Sequence, residues 1–71
     1  MHGAAPVPPP FHVQQRAWER AYVLSEEAWE RLTPEGRDAC REIAGTDPAR
    51  LTWPEIGAVQ RLYDAVVDKR T

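Results

Sequence analysis

The sequence has very little cysteine. Cys40 is the only one among 71 residues, so no disulfide can form within the chain. The cysteine and histidine residues also lack the spacing of a zinc site. A chain this short buries only a modest core, so its fold depends on hydrophobic packing, on self-association or on a partner. We expect Cys40 to fill a small space in the core, because a free cysteine behaves as a small buried hydrophobe.

Long apolar runs are absent as well. No stretch approaches the roughly 20 apolar residues that cross a bilayer. Residues 1–6 have neither the basic region nor the apolar region of a secretory signal. Together with the missing disulfides, these absences predict a soluble protein of the reducing cytoplasm.

The chain also lacks a surplus of positive charge. Its formal net charge is -2 and its pI is about 5.6, with acids and bases interleaved. This composition makes nucleic acid an unlikely partner, because a binding protein for nucleic acid carries a basic patch. Arginine outnumbers lysine eight to one. That excess is typical either of phosphate or carboxylate recognition or of a GC-rich coding sequence. We favour the second reading, which suits a small phage- or mobile-element-encoded protein.

No segment shows the alternating pattern of a strand, and no internal repeat is present. The fold class predicted is therefore all-α, a small three- or four-helix bundle. Residues 11–71 form the single helical domain. Residues 1–10 form a proline-rich N-terminal arm with the composition of polyproline II, and we expect it to contribute little to the core.

The first helical segment is open to two interpretations. Its apolar face contains Trp18, Ala21, Tyr22, Ser25, Ala28, Trp29 and Leu32. The pattern fits one long helix over 13–32. It also fits two helices divided at Ser25, with that serine as the N-cap and Leu24 and Trp29 as a hydrophobic staple. We favour the division.

Two further helices have clear start signals. Thr33-Pro34-Glu35 predicts a helix that runs to about Ala44, with Gly45 just beyond its C-cap. Asp47-Pro48 is expected to open a single turn. Thr52-Trp53-Pro54-Glu55 predicts a capping box before the last helix. That helix has a broad apolar face, and Lys69 and Arg70 suit its C-terminus. The face contains Ile56, Val59, Leu62, Tyr63, Val66 and Val67.

Catalytic chemistry is not expected. The two histidines, His2 and His12, fall in the arm and at the edge of the first helix, and the one serine has a capping role. The carboxylates fall mainly on polar helix faces, where solvation is the default. We therefore expect no enzyme activity, no cofactor and no metal.

A protein partner fits the sequence best, in the role of an adaptor, an accessory subunit or an inhibitor of a larger assembly. The proline arm could extend along a partner, and the tryptophan nearest to it, Trp18, is our first choice for an exposed one. The predicted partner-binding residues are Pro8, Pro9, Pro10, Phe11, Trp18 and Arg61.

Two alternatives remain. Residues 41–45, followed by a helix from Trp53, resemble a helix-turn-helix, which would make the chain a DNA-binding regulator. Against this, the connector from Gly45 to Thr52 exceeds the usual three- or four-residue turn, and Asp64 stands beside Arg61. The wide apolar face of the last helix supports the other alternative, a homo-oligomeric structural protein.

Overall fold

A computed structural model describes residues 7–67 of the chain. Within this range the protein contains three α-helices and two short 3-10 helices, and no strand. The helices are α1 (Phe11–Glu27), α2 (Pro34–Ala44) and α3 (Trp53–Val66). Helix α1 packs against both α2 and α3, which also contact each other. The all-α prediction is confirmed for the described residues, with three α-helices.

Helix α1 does not divide at Ser25, so that part of the prediction is wrong. The hydroxyl of Ser25 donates to the carbonyl oxygen of Ala21 at 2.9 Å, a bond made inside the helix. The chain leaves α1 only at Ala28, and the 3-10 helix Trp29–Arg31 follows. The buried stripe of α1 explains the longer helix. Its members are Gln14, Ala17, Ala21 and Leu24, and the buried Ala28 continues it.

The predicted starts of α2 and α3 are confirmed. Oγ1 of Thr33 accepts the backbone N–H of Gly36 at 3.1 Å. At α3 the capping box forms, and the backbone N–H of Thr52 donates to Oε1 of Glu55 at 2.9 Å. Gly45 is the C-cap of α2 rather than the residue beyond it. These caps satisfy helix-terminal groups that have no partner within the helix.

The loop between α2 and α3 contains the predicted single turn. It is the 3-10 helix Pro48–Arg50, and Oδ1 of Asp47 accepts the backbone N–H of Ala49 at 3.0 Å. The C-terminal charges predicted for α3, Lys69 and Arg70, lie outside the described residues. Residues 1–6 of the predicted arm also lie outside them.

The buried apolar residues form two clusters. The first core cluster consists of Ala17, Ala21, Ile43, Leu51 and Val59. The second core cluster consists of Leu24, Ala28, Leu32 and Cys40. The prediction that Cys40 fills the core is confirmed, because its side chain is fully buried. Tyr22, assigned from the sequence to the apolar face, is instead 50% exposed.

One polar side chain, Gln14, is buried beside the first core cluster and is 7% exposed. Its amide nitrogen donates to the carbonyl oxygens of Ala49, at 3.1 Å, and of Leu51, at 2.9 Å. Both carbonyls belong to the segment that leads into α3. Gln14 therefore ties α1 to the loop, and its burial is compensated by hydrogen bonds.

Candidate functional site

Three aromatic side chains line one side of α1. Phe11, Trp18 and Tyr22 are seven and four residues apart, so they follow one face of the helix. Phe11 is 55% exposed and Tyr22 is 50% exposed. The rings of Trp18 and Tyr22 stack, with centroids 5.7 Å apart and planes inclined by 14°. We call these three residues the aromatic ridge.

Trp18 is the anchored member of the ridge. Its indole nitrogen donates to the carbonyl oxygen of Ala44 at 2.9 Å, and its ring packs against the first core cluster. The last carbonyls of a helix lack partners within the helix, so the end of α2 offers this acceptor. Because it is fixed in this way, Trp18 holds the ring of Tyr22 in a defined position. The choice of Trp18 as the exposed tryptophan is wrong.

The exposed tryptophan is Trp53, the first residue of α3, with 44% of its surface accessible. Its indole nitrogen donates to the carbonyl oxygen of Val7 at 2.6 Å. The carbonyl oxygen of Pro10 accepts the backbone N–H groups of Val13 and Gln14, which starts α1. Residues 7–10 therefore contact the helical domain. These contacts use backbone carbonyls, and the side chain of Val7 is 74% exposed, so they lie outside the core.

Two adjoining pockets lie between α1 and α3, on the side of α1 away from the ridge. The first, of about 380 Å³, is lined by His12, Val13, Arg16, Ala17, Arg20, Ile56 and Gln60. The second, of about 340 Å³, is lined by Arg16, Glu19, Arg20, Val23 and Tyr63. We call the two pockets together the α1–α3 groove. Arg16 and Arg20 line both pockets.

Arg20 is held across the groove by residues of α3. Its Nη1 atom donates to Oε1 of Gln60, and its guanidinium lies 5.0 Å from the ring centroid of Tyr63. The amide nitrogen of Gln60 in turn donates to Oδ1 of Asp64 at 2.9 Å. These contacts fix the charge of Arg20 in the middle of the groove, whereas Arg16 is exposed.

The ring of Trp29 holds the 3-10 helix Trp29–Arg31 against α2. The guanidinium groups of Arg37 and Arg41 lie 5.3 and 5.9 Å from the ring centroid of Trp29. The Nε atom of Arg37 also donates to the carbonyl oxygen of Trp29 at 2.9 Å. We interpret this arrangement as structural, because each contact joins two parts of the same domain.

The structure brings together most of the residues predicted to bind a partner. Pro8, Pro9 and Pro10 lead directly into Phe11, and Trp18 lies two turns further along α1. Arg61 does not join them. It is exposed two positions after the buried Val59, so it lies on the outer face of α3.

Sequence reasoning did not name Tyr22, Trp53 or the two groove arginines as partner-binding residues. The spacing of four residues between Trp18 and Tyr22 was a usable signal for a shared face, but it did not show which aromatic residue is buried. The arginines gave no local signal, because a groove depends on which helices pack together.

The chemistry available to these residues is limited. Burial raises the pKa of the Cys40 thiol, which favours its protonated form. Within residues 7–67, no group of three or more histidine, cysteine or acidic side chains is arranged to hold a metal ion. None of the helices in that range is long and apolar enough to cross a membrane.

The surface features are thus an aromatic ridge on one side of α1 and a groove with two arginines on the other. Both are built on the longest helix, whose central stripe is buried. In comparisons with known proteins, no family model, curated protein or solved structure matches this chain.

Proposed function

We propose that this protein is a small non-catalytic protein-binding module of the cytoplasm. It acts as an adaptor, accessory subunit or inhibitor attached to a larger assembly. The observation that carries the proposal is the aromatic ridge. Aromatic side chains are enriched at the hot spots of protein interfaces, and Phe11 and Tyr22 expose half of their surface on a rigid helix.

The size of the ridge is sufficient for a measurable contribution to binding. An aromatic side chain buries about 150–250 Å² when fully covered. Covering the exposed half of Phe11 or Tyr22 therefore removes about 100 Å² from water, worth about 2 kcal/mol for each residue. Trp18 adds a fixed platform, which lowers the entropy lost when the ridge is covered.

The homo-oligomer alternative rests on the apolar face of α3, and the domain covers part of that face. The apolar face of α3 is used within the domain, where Val59 is buried and Leu62, Tyr63 and Val66 pack against the second core cluster. Val67, the last described residue of this face, is exposed to solvent. Most of the face on which the homo-oligomer alternative rests is therefore already engaged within the domain.

The DNA-binding alternative gains no support either. Eight residues, 45–52, separate the end of α2 from the start of α3. A helix-turn-helix connects its helices by a turn of about three or four residues. Asp64 is exposed on α3, where its charge would oppose phosphate groups.

The test is affinity capture from a lysate of the native host, with the full chain as bait. The ridge variant is Phe11→Ala/Tyr22→Ala, and the control is Asp38→Ala/Glu42→Ala, which changes two exposed residues of α2. We expect one protein or complex to be captured by the wild type and the control and lost with the ridge variant. Melting curves of all three proteins establish that each is folded.

A benzophenone amino acid at position 22 should then crosslink to the captured protein, because that position faces the partner. Capture that survives the double substitution would show that the ridge is not the interface. If the sole crosslinked species is a dimer of the chain itself, the homo-oligomer alternative is correct.

A further inference from the structure

The α1–α3 groove has an apolar floor with no role in the aromatic ridge. Val13 and Ile56 line one end, and Val23 and Tyr63 line the other, all of them half-buried. From Val13 to Val23 the groove follows α1 for about 15 Å, nearly three helical turns. An elongated apolar strip between two helices has the shape that receives a third helix.

The charge of the groove is opposite to that of the whole chain. Arg16 and Arg20 stand four residues apart, about 6 Å along α1. Glu19, the acidic residue of the lining, offsets one of these charges, so two arginines and one glutamate leave a formal net charge of +1. The chain as a whole carries a formal charge of -2. The groove therefore presents a local positive stripe over an apolar floor.

We propose that this groove binds an acidic amphipathic helix of another protein, which lies along α1 and α3 as a fourth helix. Apolar residues of the occupant, spaced three and four apart, cover the floor. Carboxylates four residues apart on the edge of its apolar face pair with Arg16 and Arg20. A basic helix with the same apolar pattern would bring like charges to both arginines.

The role of Arg20 follows from its contacts within the domain. Its position is fixed by Gln60 and Tyr63, so pairing with a carboxylate costs little additional side-chain entropy. Arg16, by contrast, is exposed, and the contacts with Gln60 and Tyr63 are made by Arg20. Arg16 is therefore the residue to substitute, because its removal leaves the α1–α3 contacts of Arg20 intact.

The experiment uses two synthetic peptides of about 15 residues, or about four helical turns. Both carry leucine at alternating three- and four-residue spacing. One has glutamate at the flanking positions and the other has lysine. Binding of each labelled peptide to the full chain is followed by fluorescence anisotropy, at low and at physiological salt.

We expect the glutamate peptide to bind and the lysine peptide to bind at least tenfold more weakly. Arg16→Ala should weaken binding of the glutamate peptide by roughly threefold to fivefold, the scale of one solvent-exposed ion pair. The matched control, Arg61→Ala, removes the same charge from the outer face of α3 and should change the affinity less than twofold. Added salt should weaken the glutamate peptide, because charge attraction is screened.

Amide chemical shifts locate the occupied surface. With the glutamate peptide, we expect changes at Val13, Val23, Ile56 and Tyr63. Changes centred on Phe11 and Tyr22 would overturn the groove inference while supporting the aromatic ridge as the interface. The inference is also overturned if both peptides bind equally or neither binds. If the amide shifts of groove residues change with protein concentration in the absence of peptide, a second copy of the chain occupies the groove and the proposal is wrong.

Discussion

Gln14→Leu tests the hydrogen bonds that tie α1 to the loop before α3. Leucine has nearly the volume of glutamine but cannot donate to the carbonyls of Ala49 and Leu51. Loss of the buried bond to Leu51 costs about 2 kcal/mol, because a buried acceptor is left without a donor. The bond to Ala49 is partly buried, so its loss costs about 1 kcal/mol.

Burial of the new leucine offsets about 1 kcal/mol of that cost. The expected net loss is therefore about 2 kcal/mol. For a domain of this size, that lowers the melting temperature by roughly 10 °C. It is also a large share of a total stability of order 5 kcal/mol.

Urea unfolding followed by far-ultraviolet circular dichroism measures the loss. The control is Gln15→Leu, the same change at the next residue, which is exposed and makes a 3.4 Å contact with Glu19. The control should change stability by less than about 0.5 kcal/mol. Equal unfolding midpoints for the two variants would refute the role assigned to Gln14.

Gln14→Glu separates hydrogen-bond donation from shape. At neutral pH the carboxylate faces two carbonyl oxygens, so burial and repulsion raise its pKa in the folded state. A group with a raised folded pKa contributes most at low pH and loses its contribution as the pH rises. The stability deficit relative to the wild type should therefore shrink as the pH falls below neutral. A deficit independent of pH would contradict this account.

Three further predictions concern other parts of the domain. Thr52→Ala should lower stability by about 1 kcal/mol through loss of the N-cap, and an unchanged urea midpoint would contradict that role. Because burial raises the pKa of Cys40, the free energy of unfolding should decline as the pH rises past 9.0, where the unfolded thiol ionises. In the Cys40→Ala variant, unfolding measured across alkaline pH should not show this decline. Deletion of residues 1–10 should lower stability by about 1 kcal/mol, as measured by a lower melting temperature, because the carbonyls of Val7 and Pro10 are lost. Trp53→Phe removes only the bond to Val7, so it should cause part of that loss.

Helix starts could be predicted from the sequence because their chemistry is local. Thr33 bonds the backbone three residues later, and Thr52 and Glu55 are equally close. Ser25 shows the limit of the same reasoning. A serine hydroxyl can cap a following helix or bond the carbonyl four residues before it, and local sequence allows both. Burial of Leu24 and Ala28 on one continuous stripe favours the bond to the preceding carbonyl, so the helix continues past Ser25.

The candidate site was less accessible to sequence reasoning, because its partners are distant along the chain. Trp18 bonds a carbonyl 26 residues away, and Trp53 bonds one 46 residues away. Such contacts decide which tryptophan is exposed, and no local pattern reports them. Phe11 was assigned to the surface because it follows the arm. Arg16 and Arg20 line a groove only because α1 and α3 pack side by side.

The two core clusters have a consequence for the cooperativity of the domain. Trp18 packs against the first core cluster and Trp29 against the second, so each half of the core has its own fluorescent reporter. Helix α1 passes through both halves without a break. Loss of either half therefore removes the support of the helix that the other half requires. Variants that keep only Trp18 or only Trp29 should show coincident unfolding transitions, as a single cooperative unit requires.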